Sequence, residues 1–297
     1  MFPFSCPTIA EIDLDSLTNN YHKIRSLVHS EAKILAVVKD NGYGHGAVVI
    51  SRELERLGID LLGIAITDEG VELRDGGVKK PILILCGIYE NEIDKVIEYD
   101  SFPMVFNGEI GKSLSDQAHR GNRRVKVHRK FDTGMGRLGV TIEGTREFIE
   151  RMKGLPNLVI DGVASHFSMA DEEYTRTQLK AFTKVVELCR REGMRPTYWH
   201  ISSSAPMIDF PDSWLNLIRP GIMIYGFYPS REYIGRIALR PVMRLRAAIS
   251  FLKRVPAETR ISYGGEYITQ RESLIATLPI DTGMVTTDAF PTGERFS

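Results

Sequence analysis

The sequence lacks the features of secreted, membrane-spanning and strongly charged proteins. Its three cysteines, Cys6, Cys86 and Cys189, are odd in number and scattered, which favours a reducing cytosolic compartment and no metal site. The N-terminal segment has no basic region before a long apolar run, and no later run is long enough for a membrane span. Lys plus Arg and Asp plus Glu each total 38, so neither nucleic acid nor an anionic membrane is expected as a partner.

The sequence does contain short apolar runs that alternate with amphipathic, helix-like stretches. The 297 residues, 43% of them hydrophobic, suffice for one large barrel and the start of a second module. Eight units in roughly 200 residues fit a (β/α)8 TIM-like barrel over 10–235 better than an open doubly wound sheet, which the pattern alone leaves open. The strand-like runs are ILAVVK (34–39), GIAI (63–66), PILILC (81–86), FPMVF (102–106), VKVHRKFD (125–132), LVIDGVASHFS (158–168), YWHISSSA (198–205) and NLIRPGIMIYG (216–226).

The pattern changes after Arg240 and Pro241. MRLRAAISFLKRV, ISYGGEYITQ and ESLIATLPI alternate apolar and polar residues, which predicts an incomplete, mostly antiparallel β domain over 236–280. The early segment AEIDLD (10–15) alternates in the same way and could be a strand of either domain.

Lys39 is the first candidate for chemistry. It ends the first barrel strand in AVVKDNGYGHGA, where Gly42, Gly44 and Gly46 loosen the following turn. Catalytic groups of such barrels project from the C-terminal ends of strands. Partial desolvation there would lower the pKa of this lysine and let it form a Schiff base. The alternative, a lysine that merely ends a strand, is the more common situation for an isolated lysine.

The whole segment AVVKDNGYGHGA resembles the cofactor-lysine motif of alanine racemases, and the similarity runs from AEIDLDSL to LPI at 280. This resemblance implies that Lys39 holds pyridoxal 5'-phosphate as a Schiff base. KFDTGMGRLGV (130–140) is similar to the family's barrel motif. Arg137 thus corresponds to the arginine that contacts the substrate carboxylate and the cofactor's ring hydroxyl, a role that suits a planar guanidinium. Lys130 corresponds to a lysine that is often carbamylated.

Three further segments, SHF (165–167), WHISSSA (199–205) and RPGIMIYG (219–226), resemble family motifs at the ends of strands six, seven and eight. The resemblance implies that Arg219 donates a hydrogen bond to the pyridine nitrogen, which must then stay unprotonated because arginine only donates. His166 and His200 would surround this arginine, although lone histidines are more often structural and His200 could be only a brace. The implied phosphate cradle consists of Tyr43, Ser204, Gly221 and Ile222.

ISYGGEY (261–267) resembles the segment that bears the family's second base, which implies this role for Tyr263, acting in the partner subunit of a homodimer. The implied activity is interconversion of L-alanine and D-alanine, with Tyr263 and Lys39 as bases on opposite faces of the substrate. The implied context is a cytoplasmic enzyme that supplies D-alanine for peptidoglycan and needs no metal.

Two rival functions stay open. A non-catalytic carrier of pyridoxal phosphate would lack the second domain, and ISYGGEY argues against it. Another enzyme of this barrel class, such as an amino-acid decarboxylase or a racemase of broader specificity, is the second rival. Arg219 in place of an acidic partner for the pyridine disfavours the decarboxylase.

The segment 281–297 departs from the family pattern, since LPI is followed by DTGMVTTDAFPTGERFS instead of a Gly-Tyr-Gly-Asp-Gly-like motif. One base restored between the codons of Ile280 and Asp281 permits the reading GYGDGYNRRFSNRGEVL, which looks like the family's continuation. We therefore expect that a frameshift truncated the chain. Such a loss would expose apolar faces and strand edges, impair dimerisation and leave a cofactor-binding protein of doubtful activity.

Overall fold

The structure is a computed structural model that describes residues 7–169 and 171–280. The chain divides into two compact units. The larger unit comprises Asp13–Val242. The smaller unit joins the segment up to Ile12, which contains strand β1 (Thr8–Ile12), to the segment from Met243 onward.

The larger unit is built on one parallel sheet of eight strands in the order β8-β7-β6-β5-β4-β3-β2-β9. A parallel bridge between Ser203 and Arg219, just beyond β8 and β9, brings the two edge strands together, and the Arg219 N–H donates to the Ser202 carbonyl at 3.0 Å. The predicted (β/α)8 barrel is thus confirmed. Its strands are β2 (Lys33–Val37), β3 (Leu61–Ile64), β4 (Ile82–Ile84), β5 (Ser101–Val105), β6 (Val125–Lys130), β7 (Leu158–Ala164), β8 (Tyr198–His200) and β9 (Leu217–Ile218).

Some helices in this unit, α1 and α8 among them, begin at a side-chain cap. Asp13 Oδ1 accepts from the Ser16 N–H at 3.0 Å and starts α1, and Asp171 Oδ1 accepts from the Tyr174 N–H at 2.7 Å and starts α8. These contacts satisfy N–H groups that a helix start leaves free. The helices are α1 (Leu14–Leu27), α2 (Lys39–Tyr43), α3 (Ala47–Arg56), α4 (Thr67–Asp75), α5 (Ile93–Glu98), α6 (Gly108–Arg120), α7 (Thr145–Lys153), α8 (Glu172–Arg191) and α9 (Pro206–Asp209). No helix of the described chain combines the length and apolarity that a membrane crossing requires.

Apolar side chains from most of the strands fill the barrel. A buried cluster joins Leu35, Val37, Leu61, Leu83, Phe102, Met104, Ala164 and Leu217. Burial of each large side chain contributes about 1.5–3 kcal/mol. A filled barrel is a packed scaffold and not a pore, so a ligand site is expected at the C-terminal ends of the strands.

The smaller unit is antiparallel, which confirms the predicted β domain. Strand β1 pairs with β10 (Met243–Ala247), so the segment 10–15 contributes its first residues to this unit. For this reason the observed division lies at 12/13 and 242/243, whereas the predicted barrel ran from 10 to 235. The remaining strands are β11 (Phe251–Val255), β12 (Arg260–Ile261), β13 (Tyr267–Ile268) and β14 (Ser273–Thr277).

Within the described residues, the strands of this unit form three separate two-stranded ribbons, with β11 on β14 and β12 on β13 beside the β1–β10 pair. Phe251, Leu252 and Leu274 are between 49% and 59% exposed. A lone two-stranded ribbon is marginally stable in water. The segment 281–297, on which the frameshift expectation rests, lies outside the described residues.

Candidate active site

A cavity of about 530 Å³ opens beyond the C-terminal ends of the barrel strands. All of its lining residues belong to the larger unit. Nine of the residues predicted from the sequence line it, namely Lys39, Tyr43, Lys130, Arg137, His166, Ser204, Arg219, Gly221 and Ile222. The barrel therefore brings together residues that are far apart in the sequence, at the end where such barrels carry their active sites.

Lys39 is held by a left-handed turn. Asp40, Asn41 and Gly42 have φ of 54°, 53° and 62° and ψ of 50°, 43° and 43°, and Tyr43 follows at φ 51°. Each non-glycine residue in this conformation costs roughly 1–2 kcal/mol. Strain of this kind persists only where surrounding contacts hold it, and one such contact is the Ala47 N–H, which donates to Asn41 Oδ1 at 2.8 Å.

The expected lowering of the Lys39 pKa was wrong for this structure. Lys39 Nζ lies 2.8 Å from Asp40 Oδ2, and the lysine side chain is still 37% exposed. The hydrogen bond to Asp40 raises the pKa of Lys39 and outweighs the opposing effect of burial. The lysine is therefore a cation at neutral pH and must lose a proton before it can act as a nucleophile or base.

Arg219 is the buried cation of the cavity. It follows β9 and is only 4% exposed. Nη1 donates to His200 Nδ1 at 2.6 Å, and Nη2 donates to His166 Nδ1 at 3.0 Å. Nη2 also reaches the carbonyls of Ser165 at 2.9 Å and Ile201 at 3.1 Å. Burial lowers the pKa of Arg219 to about 9, which leaves it protonated at neutral pH.

The two histidines beside Arg219 are neutral acceptors. Because a guanidinium only donates, the Nδ1 atoms of His166 and His200 must both accept. Burial lowers the pKa of each histidine well below its usual range, and the charge of Arg219 lowers it further. Both imidazoles therefore carry their proton on Nε2. His166 lines the cavity, whereas His200 is fully buried behind it.

Lys130 and Arg137 lie on the β6 side of the cavity. Lys130 is 7% exposed, and its pKa is lowered well below the usual range by burial and by the charges of Arg219 and Arg137. Arg137 lies on an exposed loop after β6. Asp132 Oδ1 shapes this loop by accepting from the N–H groups of Gly134 and Met135 at 2.9 and 2.8 Å.

The predicted phosphate cradle also assembles. The Gly221 N–H donates to Ser204 Oγ at 3.0 Å, which leaves the serine O–H free to donate to an anion. The Tyr43 hydroxyl lies beside Gly221, because a Cβ added to this glycine would stand 2.9 Å from the Tyr43 oxygen. Ile222 follows at the start of a 3-10 turn. The hydroxyls of Ser204 and Tyr43 therefore both lie beside the backbone of Gly221, where no side chain blocks the approach of an anion.

Tyr263, the predicted second base, belongs to the smaller unit and is not among the residues that line the cavity. It begins a 3-10 turn, Tyr263–Gly265, after β12, and its side chain is fully exposed. Within this single chain, Tyr263 is available to another molecule.

Sequence analysis missed two residues that the structure brings to this region. Cys86 follows β4 by two residues and lines the cavity, and its place after an apolar strand was a usable signal. His128 in β6 is fully buried, and its Nδ1 lies 2.8 Å from His200 Nε2. A polar residue on an inward position of a central strand was the signal for His128. Residues 7–169 and 171–280 contain no group of three His, Cys, Asp or Glu side chains that could hold a metal.

Comparison with known proteins places this geometry in a family. The sequence model of the alanine racemase N-terminal domain matches residues 12–229, and that of the C-terminal domain matches residues 242–281. An alanine racemase of Geobacter sulfurreducens is 40% identical over 282 residues, which cover 93% of this chain and 74% of the relative. That of Citrifermentans bemidjiense is 40% identical over 284 residues, covering 93% and 75%.

Solved structures agree. The alanine racemase of Clostridium difficile 630 superposes with a TM-score of 0.87 at 36% identity, over 94% of this chain and 74% of that one. The enzyme from Bacillus anthracis with bound L-Ala-P gives a TM-score of 0.82 at 32% identity, over 93% and 73%. With two matching domains and relatives of this similarity, the chain belongs to the alanine racemase family.

Proposed function

We propose that this protein interconverts L-alanine and D-alanine, with pyridoxal 5'-phosphate held in the barrel cavity. One observation carries the proposal. The cavity combines a lysine at its rim, a buried arginine that meets only neutral acceptors, and two hydroxyls beside Gly221. The names of the relatives support alanine as the substrate.

The residues present fit this cofactor at three points. Lys39 offers the amine that would hold it. The buried guanidinium of Arg219 offers a fixed donor for the pyridine nitrogen, and its carbonyl and imidazole acceptors hold the donor in place. Ser204 and Tyr43 offer hydroxyl donors for a phosphate dianion near Gly221, where the missing side chain permits close approach.

Bound pyridoxal phosphate would supply electron withdrawal that acidifies the Cα–H bond of the amino acid. Arg219 limits that withdrawal, because a donor that keeps its proton at neutral pH leaves the pyridine nitrogen unprotonated. Arg137, on its loop at the cavity, would hold the substrate carboxylate through two parallel hydrogen bonds. Fixing both ends of the substrate orients its Cα–H for proton transfer.

Inversion at Cα needs one base on each face of the substrate. Lys39 Nζ would serve one face after its proton is lost from the Asp40 ion pair. Tyr263 would serve the other face from the partner subunit of a homodimer, and its full exposure on this chain supports such a role. The two bases exchange roles between the L-to-D and D-to-L directions.

Lys130 would be carbamylated. Its low pKa leaves a neutral amine that can attack carbon dioxide, and the carbamate would be an anion near the two cations that depress this pKa, Arg219 and Arg137. A negative charge there would neutralise part of a cavity that otherwise gathers positive side chains. Homodimer formation, a cytoplasmic location and the supply of D-alanine for peptidoglycan stay predictions from the family resemblance.

The test is purified protein incubated with pyridoxal phosphate, followed by its absorbance spectrum and by L-to-D-alanine turnover. We expect a cofactor band and turnover that Lys39→Ala abolishes. Tyr263→Phe should keep the band and slow turnover, with Tyr267→Phe, an exposed tyrosine four residues away, as the matched control. Equal rates for Tyr263→Phe and the wild type would contradict the two-base scheme. A band without turnover would favour the truncated cofactor-binder, and turnover of a wider amino-acid panel would favour a broad-specificity racemase.

A further inference from the structure

A chain of buried imidazoles continues behind the cavity. His200 Nδ1 contacts Arg219, and on its other side His200 Nε2 lies 2.8 Å from His128 Nδ1. His200 and His128 are both fully buried, and neither lines the cavity. We call Arg219, His200 and His128 the histidine chain.

The barrel makes specific room for His128. The register between β6 and β7 shifts between Val127 and His128, with Val127 opposite Ile160 and His128 opposite Gly162. Such an irregularity re-aims a strand residue. Gly162 completes the space, because a Cβ at this position would stand 2.4 Å from His128 Nδ1. The Tyr198 ring covers the imidazole at a centroid distance of 5.7 Å.

The direction of every hydrogen bond in the histidine chain follows from Arg219. Because the guanidinium only donates, His200 Nδ1 accepts and His200 must carry its proton on Nε2. That N–H then donates to His128 Nδ1, so His128 also carries its proton on Nε2. Burial lowers the pKa of His128 to about 3, despite the opposing charge of Asp161, and both imidazoles are therefore neutral.

We propose that His128 is a positioning residue that stabilises the Nε2-protonated tautomer of His200, which is the tautomer that can accept from Arg219. Without an acceptor at His128 Nδ1, the buried Nε2–H of His200 loses its partner, and the Nδ1-protonated tautomer competes with the tautomer that Arg219 requires. In that competing tautomer two donors face each other across the 2.6 Å contact with Arg219, and the guanidinium has to move. The effect on cofactor binding rests on the proposed function, whereas the tautomer of His200 is a property of the protein alone.

The alternative is that His128 only fills space, and two variants of nearly equal shape separate the two roles. His128→Asn places an amide oxygen close to the position of Nδ1 and keeps the acceptor. His128→Leu keeps a similar volume and removes it. A third variant, Gly162→Ala, leaves the imidazole intact but displaces it from His200, since the added Cβ has no room.

The first measurement is nitrogen NMR of the cofactor-free full chain, labelled at its seven histidines, with His200 assigned from the signal that His200→Gln removes. We expect a protonated Nε2 and a bare Nδ1 at His200 in the wild type and in His128→Asn. His128→Leu and Gly162→Ala should shift His200 towards the other tautomer. An unchanged His200 tautomer in folded His128→Leu would overturn the proposal, as would a changed one in His128→Asn. Circular dichroism checks folding, and if His128→Leu does not fold, the other two variants decide.

The second measurement is the dissociation constant of pyridoxal phosphate, read from its absorbance band. Loss of a buried hydrogen-bond partner costs about 1–3 kcal/mol, which corresponds to roughly 5- to 150-fold weaker binding. We expect His128→Leu to bind pyridoxal phosphate more weakly by this factor, and His128→Asn to bind it nearly as tightly as the wild type does. If the wild type shows the predicted tautomer but binds no cofactor, the proposed function fails and the inference about His128 stands.

Discussion

Replacement of Gly42 by alanine tests the left-handed turn that follows Lys39. Gly42 has φ +62°, and an added Cβ would meet its nearest neighbour, Ala47 Cα, at an ordinary contact distance of 3.4 Å. The penalty is therefore conformational and not steric, about 1–2 kcal/mol for an L-residue in this region. For a unit of this size such a loss lowers the Tm by roughly 2–8 °C. Because the strain is adjacent to Lys39, pyridoxal phosphate should also bind more weakly.

Gly58→Ala is the matched control. This glycine follows the end of α3 by two residues at φ +86°, and an added Cβ would meet nothing within 4 Å. Thermal melts followed by circular dichroism should show a similar stability loss in both variants, while cofactor titration should show weaker binding only for Gly42→Ala. A Gly42→Ala protein as stable as the wild type would refute the left-handed turn. Equal cofactor affinity in the two variants would refute its role in placing Lys39.

Three further outcomes follow from the site. Ser204→Ala removes both the acceptor of the Gly221 N–H and a hydroxyl donor, so titration should show roughly tenfold weaker binding of pyridoxal phosphate, from about 1–3 kcal/mol. Labelled bicarbonate should give a carbamate NMR signal that disappears in Lys130→Arg; its absence from the wild type would reject carbamylation. Buried histidines whose folded pKa is depressed stabilise the fold fully only above their unfolded value of 6.5. Stability should therefore fall as pH drops below about 6.5, by up to about 1.4 kcal/mol per pH unit for each histidine, and His128→Asn should flatten that slope.

The barrel was predictable because the pattern of an apolar strand followed by a helix-like stretch repeats along the chain. Eight apolar runs that alternate with helix-like stretches favour a barrel, and the ends of the predicted strands then locate the site before any contact is known. Lys39, Lys130 and Arg219 all follow or end such runs, and all three line the cavity. The small β unit was predictable from alternation, but the pairing of β1 with β10 was not, since it joins segments more than 200 residues apart.

The Lys39 pKa was not predictable because its direction depends on a neighbour's orientation. Desolvation at a strand end lowers the pKa of a lysine. A carboxylate such as that of Asp40, the next residue, raises this pKa if the two side chains meet. Adjacent residues on an extended strand point to opposite faces. The left-handed turn removes that alternation and brings the two side chains within 2.8 Å. The sign of the shift was therefore decided by the left-handed turn, which brings the Asp40 carboxylate to the Lys39 amine.

The left-handed turn and the histidine chain place the two nitrogen groups at the cavity by the same physical means. Each is unfavourable in isolation: the turn holds Asp40, Asn41 and Tyr43 at positive φ, and the chain removes two imidazoles and a guanidinium from water. Each leaves one group, the Lys39 amine or the Arg219 guanidinium, with few alternative positions. At both places the fold tolerates an unfavourable local conformation or burial, and the group at the cavity is held in a fixed orientation. Relief of the strain in the turn should make the protein more stable and its cofactor less well held, which is a combination that simple damage to the fold does not produce.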